Sequence, residues 1–309
     1  MSTFETRNKK RELTEKLIKS ALIIASGISI LTTFGILFSI LFESIEFFQM
    51  RSFWYFITGT EWSPGVEGSK FGAVPIFAGT FVITIIALAV AIPVGLGSAI
   101  YMSEYASSNT RDYLKPILEV LAGIPTVVYG FFAAITVAPF IVKAADWVGL
   151  EATFNSALAS GVVMGIMIIP VISSLSDDVI RSVPDSQRKA ALGLGLTQGE
   201  TIRDIVIPSA LPGIISASLL GLSKALGETM IVVMAAGLRP NLSWNPLEDM
   251  TTVTVTIVNS LVGDFEFNSP ETLSAFALGL VLFVVTLVLN IISLSLIRKF
   301  KEKYKVNTL

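Results

Sequence analysis

Lys224 and Glu228 stand four residues apart in the run KALGETM, at the end of a charge-free stretch from Ile205 to Ser223. An ionisable group at membrane depth is costly enough that it faces a cavity or a partner, and it marks a path for polar cargo. Two readings of the pair stand at this level. In one, the charges belong to a transport path. In the other they neutralise each other at i and i+4, worth about 0.2–0.5 kcal/mol on an exposed helix and more where the alternative is an unpaired charge in lipid. Glu119 is a third such group, expected one turn into the third apolar segment, although its closeness to Lys115 also suits a side chain that reaches back to the interface.

The residue types that are missing narrow the chemistry further. Cysteine and histidine are both absent, which excludes disulfides, thiolate and imidazole catalysis and any Cys/His metal site. No G-x-x-x-x-G-K-[ST] loop occurs, so if the chain serves an ATP-driven machine, the ATPase is another subunit. The chain is therefore expected to be no enzyme, to bind no cofactor or metal itself, and to have membrane lipid rather than nucleic acid around it.

These side chains have to be positioned by membrane helices. Of 309 residues, 52% are hydrophobic and only 15% charged, and the mean hydropathy is +0.73, values of an integral membrane protein. Charge-free windows run from Ser20 to Phe42, Phe71 to Ser103, Val120 to Val142, Ala152 to Ser176, Ile205 to Ser223 and Thr272 to Ile297. Each is near or above the ~20 residues of a spanning helix, so the expected fold is all-α with six transmembrane helices. Met250 to Gly263 is too short to cross and reads as a re-entrant or surface helix. The first apolar run is too long for a signal sequence and no A-x-A site follows, so an uncleaved helix is expected there.

Basic residues set the orientation. With the N-terminus inside, seventeen lysines and arginines fall on the cytoplasmic side, against Arg51, Lys70, Lys143 and Arg239 outside. The bias predicts cytoplasmic termini. Residues 1–18 are then an N-terminal tail, 19–300 a membrane permease domain and 301–309 a C-terminal tail. Pro93, Pro125, Pro139 and Pro170 interrupt spans, which suits helices that line a path or pack closely. Gly161 with Gly165, and Gly221 with Ala225, suit close backbone approach. Phe53, Trp54, Tyr55, Phe56 and Trp62, in the outer loop from Glu43 to Lys70, suit an interfacial aromatic belt.

One polar segment interrupts the apolar pattern on the cytoplasmic side. In KAALGLGLTQGETIRDIVIP, Lys189 to Pro208, a short helix begins near Ala190 and Ala191 and ends at Gly193 or Gly195. Thr197 and Glu200 then have the spacing of a capping box that starts a second helix, which Pro208 and Pro212 are expected to close. Two helices joined by a glycine turn make a rigid handle for another protein.

The spacing K-A-A-x3-G-x9-I-x-I-P, which ends at Ile205, Ile207 and Pro208, resembles the EAA loop of bacterial ABC importer permeases, which docks on the ATPase subunit. Lys189 stands where that family usually has glutamate, and Ile207 replaces leucine. GTEWSP (59–64), FGAVPIFAGT (71–80), IPVGLGSAIYMSEYA (92–106), LAGIPTVVYG (121–130) and KALGETM (224–230) resemble the phosphate-specific permeases of the PstC type. The resemblance implies a type I, MetI-like permease in the bacterial cytoplasmic membrane, with a coupling loop over 185–208. It further implies a PstA-type permease partner, two copies of a PstB-type ATPase that binds ATP and Mg, and a PstS-type extracytoplasmic phosphate-binding protein. In that family the segment matching KALGETM usually reads R-A-L-G-E-T-M, and its basic and acidic residues are associated with phosphate passage. Lys224 keeps the positive charge but lacks arginine's fork. On this reading Lys224 compensates the anion's charge and Glu228 keeps it from being held too tightly. Molybdate or sulfate import is the alternative within the class; a secondary anion transporter or channel, and a membrane scaffold, are the alternatives outside it.

Overall fold

The computed structural model describes residues 2–65, 68–262 and 266–303. Lys305 and the tail from 304, the end of the Met250–Gly263 window, and the side chains of the N-terminal tail before Thr14 lie outside the described residues. In chain order the helices are α1 (Ser2–Met50), α2 (Phe53–Thr58), α3 (Val74–Ile100), α4 (Ser108–Ala122), α5 (Thr126–Phe132), α6 (Ala138–Trp147), α7 (Ala157–Arg181), α8 (Asp185–Gly193), α9 (Gln198–Thr201), α10 (Ile207–Leu226), α11 (Met230–Ala235), α12 (Val253–Val262) and α13 (Pro270–Lys303). A short antiparallel pair, β1 (Trp62–Ser63) with β2 (Lys70–Phe71), closes the loop after α2. Among the described residues six helical stretches are long and apolar enough to cross a membrane: Thr14–Met50, Val74–Tyr105, Thr126–Trp147, Ala157–Arg181, Gln198–Leu226 and Pro270–Lys299. α12, with 10 residues, is not among them, since it is only about 15 Å long.

α3 and α7 form the centre of the fold. A Cβ at Gly161 would lie 2.7 Å from Ile86 Cγ2, and one at Gly165 would lie 2.8 Å from the Ala87 carbonyl oxygen. Hydrogen at these two positions therefore lets the helices meet almost backbone to backbone, and Ala87, Ala91, Met164 and Ile168 fill the space between them. Gly221 brings α10 onto the same helix, where its Cβ would meet Ile168 at 3.0 Å. The small-residue pairs thus serve packing inside this chain.

Among the described residues three wide π turns interrupt the helices, at Tyr101–Tyr105, Ala133–Val137 and Ile202–Val206. Two of them end two residues before a proline, Pro139 and Pro208. A proline lacks the N–H and its ring crowds the carbonyl four residues back, and a wider turn relieves both. The helix from Gln198 consequently runs on through Pro208 and Pro212 to Leu226. The expectation that these prolines close the second hairpin helix is corrected: that helix is the first part of the fifth span.

The third window also differs. Gly123 ends α4 and Pro125, with φ −57° and ψ 138°, stands extended at the start of α5. Val120–Val142 is therefore not one segment, and the span starts at Thr126. Glu119 lies on the last turn of α4, exposed, and not inside the third span.

The aromatic loop divides. Phe53, Trp54 and Tyr55 are exposed as an interfacial belt requires, but Phe56 and Trp62 are buried. With Phe47 and Phe71 those two build an edge-to-face cluster whose ring centroids lie 5.4–6.3 Å apart. Such pairs add about 0.5–1.5 kcal/mol each beyond their burial, so the cluster fixes α1 and α2 to the start of α3.

Candidate functional site

The hairpin is built by consecutive caps. Asp185 in the first turn of α8 faces the positive end of the helix dipole. At the other end Gly195 takes φ +88°. Its N–H donates to the Leu192 carbonyl at 3.0 Å, and the Leu196 N–H donates to the Ala191 carbonyl at 3.2 Å, the paired bonds of a Schellman stop. The capping box follows after one residue. The Thr197 N–H donates to Glu200 Oε2 at 2.8 Å and the Glu200 N–H donates to Thr197 Oγ1 at 3.3 Å. Only Leu196 separates the two devices, so the angle between α8 and α9 is set by hydrogen bonds on both sides.

This geometry presents one face and buries the other. Lys189, Ala190, Leu192 and Leu194 are exposed, Leu194 at 83%. Ala191, Ile202 and Val206 are buried, while Ile205 and Pro208 are half-buried. Lys189 takes part in no ion pair among the described residues. An apolar side chain held out at the tip of a stiff polar hairpin is suited to insertion into another protein.

The hairpin's anchor is a group that sequence spacing does not reveal. Arg188 Nη2 donates to Glu104 Oε1 at 2.8 Å and to the Ile180 carbonyl at 2.9 Å, and Nη1 donates to the Val183 carbonyl. Gln198 Nε2 adds a bond to the Glu104 carbonyl at 3.0 Å. Glu104 sits in the π turn that ends α3, and its side chain is only 9% exposed. One guanidinium thus ties the hairpin to the ends of α3 and α7, over an apolar cluster that includes Ala99, Ile180, Val206 and Ile214. A second bridge lies beside it: Arg111 on α4 holds the fully buried Asp177 of α7 at 2.7 Å.

Lys224 and Glu228 are placed differently from a helical pair. α10 stops at Leu226, and Gly227, Glu228 and Thr229 form a break before α11. Glu228 is buried, and its Oε1 accepts from the N–H groups of Met230 at 3.0 Å and Ile231 at 3.3 Å. Its carbonyl accepts from Thr254 Oγ1 of α12 at 2.7 Å. Among the described residues no ion pair joins it to Lys224, which is half-buried in the last turn of α10. The two side chains are therefore not a direct helical i,i+4 bridge: the carboxylate accepts from backbone donors beyond the end of α10, and Lys224 takes part in no ion pair among the described residues. Thr229 after Gly227 is the sequence signal for this break, a helix-starting residue after a helix-stopping one.

Comparison with known proteins agrees with this architecture. Residues 91–303 match the family described as the binding-protein-dependent transport system inner membrane component. Probable ABC transporter permease protein YqgH of Bacillus subtilis is 35% identical over 251 residues, covering 81% of this chain and 78% of that protein. Phosphate transport system permease protein PstC of Mesorhizobium japonicum is 35% identical over 249 residues, covering 75% of this chain and 74% of its own. The fold is shared with the MetNI methionine ABC transporter in its inward-facing conformation, at a TM-score of 0.54 and 17% identity, over 74% of this chain and 94% of that one. The chain belongs to the family of inner membrane components of binding-protein-dependent transport systems.

Proposed function

We propose that this chain is the phosphate-conducting permease of an ATP-driven importer. The observation that carries the reading is the relationship to PstC permeases over three quarters of both chains, joined to a half-buried lysine whose neighbouring carboxylate is occupied elsewhere. Phosphate carries one to two negative charges, and a low-dielectric path excludes it unless a fixed cation compensates locally. Lys224 supplies that cation. Glu228 holds the break between α10 and α11 in shape and adds a nearby negative charge that favours release.

The hairpin from Lys189 to Pro208 is the coupling handle. A PstB-type ATPase dimer, which binds ATP and Mg, grips its exposed face, and closure of that dimer moves α10 directly because the handle is continuous with the span. A PstA-type permease completes the path, and a PstS-type binding protein delivers phosphate from outside. The termini and the hairpin are cytoplasmic, as the positive-inside bias requires.

The test is phosphate uptake by Lys224 variants in the assembled transporter, normalised to inserted protein. Lys224→Gln is expected to abolish uptake and Lys224→Arg to keep most of it. Normal uptake by Lys224→Gln would remove the lysine from the path.

A further inference from the structure

Between α10 and α13 runs a groove of about 240 Å³ whose polar lining is Ser216, Ser223, Asn290 and Ser293. Hydroxyls in apolar helices ordinarily spend their donor on a carbonyl one turn back. In these two helices Ser216, Ser218 and Ser295 do so, on Pro212, Ile214 and Ile291 at 2.9–3.0 Å. Ser223, Asn290 and Ser293 have no hydrogen-bond partner among the described residues. Ser293 is only 5% exposed, so its hydroxyl is open to the groove and little else. Ser223 and Asn290 are exposed on this chain while Ser293 is buried; unpaired polar groups are costly in the apolar surroundings of a membrane, and here three of them line one groove. Ser223 is the chain neighbour of Lys224.

The geometry points to a second, uncharged station for a tetrahedral oxyanion, on the hairpin side of Lys224, in which Ser223, Asn290 and Ser293 donate hydrogen bonds. The inference rests on the phosphate-path reading and extends it. Neutral donors hold an oxyanion more loosely than a cation does, so an ion leaving Lys224 is passed along without being trapped. Leu219 and Leu220 supply part of the groove's apolar lining.

Because the chain has no cysteine, Asn290→Cys, Ser293→Cys and Ile292→Cys each supply a single thiol in this subunit. Ile292 is 51% exposed and, at helical spacing, lies on the far side of α13 from Asn290. In the assembled transporter in inside-out vesicles, a charged, membrane-impermeant thiol reagent is expected to label positions 290 and 293 but not 292. Inorganic phosphate should slow that labelling several-fold and chloride should not. Asn290→Leu should raise the KM for phosphate about tenfold, the loss of one hydrogen bond to an ion, with kcat less affected, and Asn290→Gln should recover most of it. Absence of labelling at 290 and 293 would mean that lipid or a partner helix fills the groove, and would overturn the proposal. So would labelling indifferent to phosphate. Both failures leave phosphate uptake by the parent transporter intact; a parent that moves no phosphate overturns the functional reading and this station together.

Discussion

Arg188 ties the hairpin to α3 and α7, because it holds the Glu104 carboxylate and two backbone carbonyls at once, with a longer contact to Asp185 at 3.3 Å. Arg188→Ala leaves Glu104 buried without its partner, at a cost of about 3 kcal/mol, the low end for a buried pair since Arg188 keeps some contact with solvent. The chain should still insert, while limited proteolysis should cut near Gly195 and the ATPase should no longer co-purify. Arg188→Lys should not rescue it, because an ammonium cannot span the same set of acceptors. Lys224 and Glu228 call for a double-mutant cycle. Since they form no ion pair among the described residues, Glu228→Gln should not restore uptake to Lys224→Gln, and the double variant should stay as inactive as Lys224→Gln alone. Recovery would restore the self-neutralising pair. The charges themselves were legible in the sequence, as was the Thr197–Glu200 box. The partners of Arg188 and Glu228 were not: Glu104 lies 84 residues from Arg188, and Glu228 at i+4 from Lys224 reads as a helical neighbour unless the helix is known to end between them.

At the scale of elements, the hairpin turn depends on one backbone conformation. A Cβ at Gly195 would meet nothing within 4 Å, so a substitution there strains only the backbone. Gly195→Asn should therefore be tolerated, since asparagine enters the left-handed region, whereas Gly195→Val should cost about 1–2 kcal/mol and weaken ATPase binding. Equal effects of the two would mean that the turn is not what the ATPase reads. At the opposite end, the loop before α12 knits elements together: the Ala157 N–H at the start of α7 donates to the Glu248 carbonyl at 3.0 Å, and the Met250 N–H donates to the Ala236 carbonyl at 2.9 Å. Hydrogen bonds from Ser243, Asn241 and Asn245 hold the Glu248 carboxyl below the ordinary glutamate value. A depressed folded-state value means the stabilisation is complete above the unfolded-state value and is lost as pH falls through the lowered one. The protection factors of amides in residues 241–250, which are corrected for the intrinsic pH dependence of exchange, should accordingly be flat at neutral pH and fall only below the ordinary glutamate range, a fall that Glu248→Gln removes. The six spans were readable because apolar length is a local property of sequence. The breaks at Gly123–Pro125 and Gly227–Thr229 are marked in the sequence only by single glycine, proline and threonine residues inside otherwise apolar or helix-forming stretches, and such residues also occur within continuous membrane helices.

For the whole molecule, an all-α membrane fold with six spans and a short helix near 253–262 followed from composition and window length, while the other short helices and the choice of cargo did not. The polar groups that would touch an anion are few, and a lysine attracts any oxyanion. Orientation is a property of the whole charge distribution, so a reporter inserted near Gly199 should be cytoplasmic and one near Asn245 external. Labelling of position 199 by an impermeant external reagent would invert the account and detach the hairpin from ATP. The most direct measurement of the central claim is uptake of radiolabelled phosphate, sulfate and molybdate by a strain lacking this chain, with the intact chain restored as control. Phosphate uptake is expected to fall with the deletion and to return with the chain, while sulfate and molybdate uptake stay unchanged. Unaltered phosphate uptake, with loss of either of the other two oxyanions, would contradict it.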